Sequence, residues 1–225
     1  MASDLCECGS GSEDADCEVL SSNFSLERLP PLPRRGSGYW SEPMMGICIV
    51  GVLSAMLVSV TQGMAMAAAT GQVGGPQVAQ VRTGSVILIW AEALTAVLCT
   101  LFLLFAGAGV IRRSPATCYP IPDEVQERLT SGRSLDGLKN IRGENGESYC
   151  VRCCLWRPCK EDGKVHHCNV CQRCVRGFDH HCGVFGRCIV RGNMPCFGVL
   201  IGMMFAGMVT AMVAVTASAG VDTGV

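Results

Sequence analysis

The stretch that decides the fold is residues 150–188, which reads CVRCCLWRPCKEDGKVHHCNVCQRCVRGFDHHCGVFGRC. It holds all four histidines of the chain and nine of its sixteen cysteines, in about a sixth of the length. Several of these cysteines are separated by two residues, a spacing that lets one tight turn direct two sulfurs at the same ion. Four such ligands complete the tetrahedron that Zn²⁺ prefers. The stretch therefore predicts zinc binding rather than a disulfide framework.

The number of ligands predicts two zinc ions, because two tetrahedral sites use eight ligands. Neighbouring side chains such as those of His167 and Cys168 tend to point apart, so these two residues more naturally serve different ions. Two pairs of cysteines form candidate knuckles, Cys150 with Cys153 and Cys168 with Cys171. The remaining ligands, which would close the two sites, are Cys174, Cys188 and one histidine of the 180–181 pair.

This allocation leaves Cys182, one adjacent histidine and Asp179 outside the metal sites. A thiol, an imidazole and a carboxylate on a metal-stiffened scaffold suggest a nucleophile, its base and a group that orients the base. The spacing is equally compatible with Cys182 as a spare ligand or an inert buried thiol. Spacing alone leaves both interpretations open.

The same residues resemble the cysteine-rich domain of the DHHC-type protein S-acyltransferases, also called palmitoyltransferases. The signature tetrapeptide stands here as Asp179-His180-His181-Cys182. The resemblance covers about residues 150–197, and outside the cysteines and histidines it includes Arg157, Pro158, Asn193 and Phe197.

The resemblance implies two closed, structural zinc sites. One would be formed by Cys150, Cys153, His167 and Cys174, and the other by Cys168, Cys171, His181 and Cys188. Cys182 would be the acylated nucleophile, His180 its base and Asp179 the group that orients that base. The co-substrate would be acyl-CoA (palmitoyl-CoA), and the acceptors would be membrane-proximal cysteines of cytosolic or membrane proteins. Nucleic acid is not an expected partner.

Two departures from the family pattern favour a different class of function. The family usually has Pro-Trp after its signature cysteine, where this chain has Gly183-Val184. Family members commonly have four membrane spans, whereas three apolar runs are visible here, which suggests a truncated or reduced member. The alternative is therefore a membrane-anchored zinc-binding interaction module with weak or no catalysis.

The composition places this module at a membrane. The chain is 49% hydrophobic and only 16% charged, with a formal net charge of −1. Its apolar residues concentrate in three runs, at 45–69, 85–111 and 196–220, and none of these runs contains Lys or Arg. Each run is long enough to cross a hydrocarbon core of ~30 Å as a helix. The sequence thus predicts an α-helical multi-pass membrane protein with a zinc-stabilised cysteine-rich domain at 150–195.

Basic residues predict the orientation. Arg34 and Arg35 precede the first run, and Arg112 and Arg113 follow the second. The positive-inside rule then places the N-terminus, a linker at 112–149 and the cysteine-rich domain in the cytosol. We expect the protein in the bilayer of the endomembrane system or plasma membrane, with its active site facing the cytosol. The reducing cytosol would keep the thiols free.

Three further expectations concern segments outside the cysteine-rich domain. Residues 1–43 are acidic and Pro-rich, which predicts disorder. The polar linker has room for one short amphipathic helix around Asp123–Leu129. Glu92, the one charge inside an apolar run, is expected near the far end of span two, where it would reach the interface.

Overall fold

The computed structural model describes residues 25–70, 76–107, 109–144, 146–158 and 164–219. They form two units, the first from the described residues of 1–33 and 112–159 and the second from those of 34–111 and 160–225. The disorder expected for residues 1–24 lies outside the described residues.

Three long helices dominate the second unit. Helix α1 spans Gly38–Thr70, α2 spans Pro76–Phe105, and the last long helix spans Met194–Ser218. All three are long and apolar enough to cross a membrane, and each packs against the other two. Many of their large apolar side chains are exposed, among them Trp90 and Phe205, as expected for residues that face lipid. The predicted fold class, an α-helical protein with three potential spans and a cysteine-rich domain, is confirmed.

Helix α2 is displaced along the chain relative to the apolar run at 85–111. It begins at Pro76, because the polar but helix-compatible residues before 85 continue the helix. It ends at Phe105, before Gly107 and Gly109. Gly109 has φ +74°, and a Cβ there would lie 2.6 Å from the carbonyl oxygen of Arg176, so the chain turns where only glycine fits.

This displacement overturns the position expected for Glu92. Glu92 lies near the middle of α2 and is buried, and Thr210 of the last long helix donates a hydrogen bond to its Oε1 atom at 3.0 Å. The carboxyl group therefore joins two helices inside the bundle. An estimate based on the apolar run alone placed Glu92 too close to one end, because the helix continues through polar residues that the run excludes.

The first unit contains the remaining helices and a small sheet. Helix α3 spans Pro115–Cys118 and α4 spans Asp123–Thr130, which confirms the short helix expected in the linker. Strands β1 (Ile141–Arg142), β2 (Ser148–Cys150) and β3 (Leu155–Arg157) form an antiparallel sheet in sequence order. The side chains of Val125, Tyr149 and Cys154 are fully buried in this unit. Burial raises the pKa of Cys154 to about 11, so this thiol stays protonated at neutral pH.

Part of the segment expected to be disordered has defined structure in the same unit. Leu26–Arg28 form a short 3₁₀-helix, and the side chain of Leu29 is buried. The guanidinium group of Arg113 donates one hydrogen bond to the carbonyl of Pro30 and another to that of Cys153, both at 2.7 Å. Arg113 thus ties the proline-rich segment at Pro30 to the knuckle that contains Cys153.

Two β-hairpins complete the second unit. Strand β4 (His166–Cys168) pairs with β5 (Arg173–Val175), and β6 (Phe178–Cys182) pairs with β7 (Arg187–Val190). The last long helix, now α5, follows β7 directly. Asn193, just before α5, accepts a hydrogen bond from the backbone of Val190 and donates one to the carbonyl of Cys188. The second hairpin is thus tied to the start of α5.

Candidate functional site

One predicted metal quartet lies entirely within the second unit. The ligand atoms of Cys168, Cys171, His181 and Cys188 all lie within 4.8 Å of one another. The Nδ1 atom of His181 is 3.5 Å from the sulfurs of Cys168 and Cys171 and 3.8 Å from that of Cys188. The sulfurs of Cys171 and Cys188 are 3.5 Å apart.

These distances fit a tetrahedral zinc ion. Zinc binds sulfur at about 2.3 Å and imidazole nitrogen at about 2.0–2.1 Å, which sets sulfur–sulfur edges of about 3.8 Å and sulfur–nitrogen edges of about 3.6 Å. The observed separations are within a few tenths of an ångström of those edges. Three cysteines and one histidine also form a closed ligand set typical of structural zinc.

Local backbone structure brings these ligands together. Cys168 ends β4, and the backbone N–H of Cys171 points back to the Cys168 sulfur at 3.4 Å. Gln172, which follows this knuckle, adopts φ +52° and turns the chain into β5. His181 and Cys188 are direct cross-strand partners on β6 and β7, so their side chains share one face.

The cluster also favours a thiolate. Hydrogen bonds from the thiols of Cys171 and Cys188 lower the pKa of Cys168 well below its usual range. The hydrogen bond with Cys168 raises the pKa of Cys171 to about 11. Metal binding would replace the protons that these sulfurs share, because zinc binds the thiolate form.

The other predicted quartet takes two residues from each unit. In the first unit, Cys150 and Cys153 are buried on one knuckle, where the backbone N–H of Cys153 donates to the carbonyl of Cys150 at 3.2 Å. In the second unit, His167 and Cys174 are buried cross-strand partners, with Nδ1 and Sγ 3.8 Å apart. Each pair has the local geometry of half a zinc site, and their joint binding of one ion remains a prediction.

Strand β6 directs its two histidines to different partners. Successive side chains of a strand point to opposite faces, so His180 and Cys182 share a face while His181 takes the other. The register of β6 against β7 shifts between Phe178 and His180, which marks a β-bulge at Asp179. The bulge accounts for the contact between adjacent side chains, since Asp179 Oδ2 lies 2.7 Å from His180 Nδ1.

The thiol of Cys182 lies where polar and apolar surroundings meet. Cys182 is partly exposed and packs against an apolar cluster that the three long helices share with β7. The edge of the His180 ring faces Phe197 of α5, with ring centroids 5.7 Å apart. The three residues that remained outside the metal quartets therefore lie together on β6, beside the start of α5.

The residues after Cys182 pack against α1. Gly183 has open space where a Cβ would be, whereas Val184 is partly buried and Phe185 is buried in the same apolar cluster. A Cβ on Gly46 of α1 would lie 2.6 Å from the Phe185 ring and 2.8 Å from the Val184 carbonyl oxygen. The turn that follows the candidate nucleophile thus retains apolar packing without the usual Pro-Trp pair.

Sequence reasoning missed two residues that fix this hairpin. The Oε2 atom of Glu42 lies 2.9 Å from His181 Nε2, although 139 positions separate the two residues. Arg187 donates hydrogen bonds to the carbonyls of Leu104 and Tyr39, and its guanidinium group lies 4.1 Å from the centroid of the Tyr39 ring. Neither residue belongs to a local motif, so only the fold reveals them.

Comparisons with known proteins bear on the cysteine-rich region. A family model described as DHHC palmitoyltransferase matches residues 143–223. A search of curated proteins gave no match.

Proposed function

We propose that the chain is a protein S-palmitoyltransferase, because a model of the DHHC palmitoyltransferase family matches residues 143–223. It would transfer a fatty acyl group from acyl-CoA to protein cysteines. One observation carries the proposal beyond the family match. Cys182 shares a strand face with His180, whose Nδ1 contacts Asp179, while His181 alone of this tetrapeptide joins the metal quartet.

In the first step, the Cys182 thiolate attacks the thioester carbonyl carbon of acyl-CoA. A new carbon–sulfur bond forms, the bond to the CoA sulfur breaks, and CoA leaves as a thiol after taking a proton. In the second step, the thiolate of a substrate cysteine attacks the acyl-Cys182 carbonyl and releases Cys182. Each step exchanges one thioester for another, so no ATP is needed.

His180 would move the protons in both steps. It would take the thiol proton of Cys182 and return it to the leaving CoA sulfur. Asp179 would keep Nδ1 of His180 protonated, so that Nε2 is the basic nitrogen, and would stabilise the imidazolium ion. Both side chains are about half exposed, at 43% for His180 and 57% for Asp179, which leaves room for the large CoA group.

The two zinc ions would be structural. Bound zinc supplies folding free energy and fixed ligand geometry. The ion of Cys168, Cys171, His181 and Cys188 would hold β6 against β7 and so hold the strand that carries Cys182. Because both ligand sets would be closed, neither ion has a position for water or substrate.

The surroundings of Cys182 suit a lipid substrate. The thiol packs on an apolar cluster that includes Val50 of α1, Leu103 of α2 and Leu200 of α5. An apolar groove of about 960 Å³ also lies between α1 and α2, lined by residues from Ser54 to Met66 and from Trp90 to Val97. These surfaces support a fatty chain placed between the helices.

The test is covalent labelling of the purified full chain with alkyne-tagged palmitoyl-CoA. We expect a label that hydroxylamine removes and that Cys182→Ser abolishes without loss of zinc. Cys196→Ser is the matched control, because Cys196 packs against the same apolar cluster but lies outside the proposed catalytic and metal sets. Label that persists in Cys182→Ser would refute the assignment of the nucleophile.

The same experiment decides the alternative of a membrane-anchored zinc module without catalysis. Its support is Gly183, which leaves open space beside Cys182 where the family usually has proline. A wild-type chain that binds zinc but takes no label would establish this alternative.

A further inference from the structure

A carboxylate of the first long helix, that of Glu42, contacts His181 of the metal quartet in the second unit. We propose that Glu42 is a positioning residue that holds His181 in the ring orientation and tautomer required for metal binding. The inference rests on the metal site of the proposed function but not on acyl transfer. The domain match begins at residue 143, so Glu42 lies outside the matched region.

The two nitrogens of His181 face different partners. Its Nδ1 faces the three sulfurs at 3.5–3.8 Å, and its Nε2 faces Oε2 of Glu42 at 2.9 Å. When Nδ1 binds a metal, Nε2 must carry the proton of the neutral ring. Nε2–H then donates to the carboxylate, which is the usual arrangement behind a metal-bound histidine.

The contact between Glu42 and His181 is largely shielded from water. The side chain of His181 is 13% exposed and that of Glu42 is 25% exposed, so water competes for the hydrogen bond less than at an open surface. Two guanidinium groups, those of Arg35 and Arg187, lie on the Tyr39 ring and interact electrostatically with Cys171. They would offset the negative charge that Glu42 and three thiolates bring to the site.

The backbone around Glu42 fits this placement. A Cβ on Gly38, one helical turn earlier, would collide with the Glu42 carboxylate, so glycine leaves room for the observed side-chain conformation. Pro43 packs on the turn between β6 and β7, where a Cβ on Gly186 would lie 2.5 Å from its ring. Gly186 has φ +59°, which favours glycine on conformational grounds as well.

The start of α1 would therefore help to form the metal site of Cys168, Cys171, His181 and Cys188. A carboxylate behind a metal-bound histidine typically contributes about 10- to 100-fold in metal affinity. Loss of Glu42 should therefore weaken one of the two metal sites and leave the other unchanged.

The experiment compares Glu42→Ala, Glu42→Gln and wild type as full chains in detergent. Zinc transfer to a chromogenic chelator measures affinity and release rate, and ¹¹³Cd NMR of the cadmium-loaded protein gives one resonance for each site. We expect Glu42→Ala to weaken one ion by about 10- to 100-fold and to shift only its resonance. Glu42→Gln keeps an acceptor oxygen in place and should recover much of the loss.

One control and one further variant separate positioning from general charge or folding effects. The control, Glu124→Gln, removes one negative charge from an exposed position on α4 and should leave both ions unchanged. The further variant, Gly38→Ala, keeps Glu42 but displaces its carboxylate, so it should weaken the same ion as Glu42→Ala. Wild-type affinity and an unchanged spectrum in Glu42→Ala would overturn the inference, as would an equal effect of Glu124→Gln. These readouts do not use acyl transfer, so an inactive chain that shows them would refute catalysis and leave the role of Glu42 intact.

Discussion

His180 and His181 are neighbours on β6, yet their imidazole rings contact different partners. His180 Nδ1 lies 2.7 Å from the Asp179 carboxylate, whereas His181 Nδ1 lies 3.5–3.8 Å from three cysteine sulfurs. The alternation of β6 places the two rings on opposite faces. The bulge at Asp179 brings His180 to its carboxylate partner, and the turn after β4 supplies Cys171 to His181. Under the proposed function the two imidazoles would have different roles, and mutations should separate them.

We predict that His180→Ala and His181→Ala fail in different ways. His180→Ala should reduce self-acylation of Cys182 by about 10²–10⁴-fold, the range for a positioned acid or base, with zinc content unchanged. His181→Ala should lose one zinc ion and destabilise the module, since structural zinc contributes to folding. Labelling and metal analysis of the same preparations check both outcomes. Zinc loss in His180→Ala would contradict the assignment.

We also predict two zinc ions per chain. Cys171→Ser and Cys153→Ser should each release one ion, because each removes a ligand from a different quartet, while Cys48→Ser on α1 should retain both. Cys48 is exposed on the helix surface and belongs to neither quartet. Metal analysis of purified protein measures the content. One ion in the wild-type chain would contradict the prediction and show that one of the two quartets does not bind metal.

The spacing predicts the cysteine knuckles because they are local, whereas the choice of His181 over His180 came from the family resemblance. The quartet of the second unit needs only residues 168–188, and the structure brings its four ligand atoms within 4.8 Å of one another. Glu42 and Arg187 were not predictable in the same way. Their contacts depend on where the start of α1 and the end of α2 lie relative to β7, and no local spacing encodes that arrangement.

The apolar runs predict that three long helices exist better than they predict where the helices end. Hydropathy marks the residues that avoid water, but a helix continues through polar residues until its backbone is broken. Helix α2 therefore starts at Pro76, before its apolar run. As a result, Glu92 lies near the middle of the helix rather than near the end where the apolar run placed it.

Orientation gives a third prediction. A protease site placed in the exposed turn at Arg133–Gly137 and an epitope tag at the N-terminus should both be accessible from the cytosolic side of sealed vesicles. The physical reason is the excess of arginine on that side of the spans. Immunoblots of vesicles before and after detergent permeabilisation measure the accessibility. Protection of either segment before permeabilisation would contradict the proposed topology.

The buried pair of Glu92 and Thr210 gives a fourth prediction. Thr210→Val and Glu92→Leu should be non-additive in thermal stability, with a coupling of about 0.6 kcal/mol, the average for hydrogen bonds between membrane helices, and at most about 1.7 kcal/mol. Thermal unfolding of the single and double variants in detergent measures the coupling. Thr216→Val is the matched control, because its hydroxyl bonds to the carbonyl of Met212 in its own helix. Additive effects at Glu92 and Thr210 would show that the hydrogen bond does not join the helices.

Arg187 bonds to the last turn of α2 through the Leu104 carbonyl and to the first turn of α1 through the Tyr39 carbonyl, and it pairs directly with Cys182 across the hairpin. Two helix ends therefore hold the residue that pairs with Cys182. Under the proposed acyl transfer, with the three long helices spanning the membrane, the Cys182 thiol would lie at a fixed depth and would reach only acceptor cysteines at that depth. Bilayer thickness, which changes helix tilt, would then alter which cysteines are within reach.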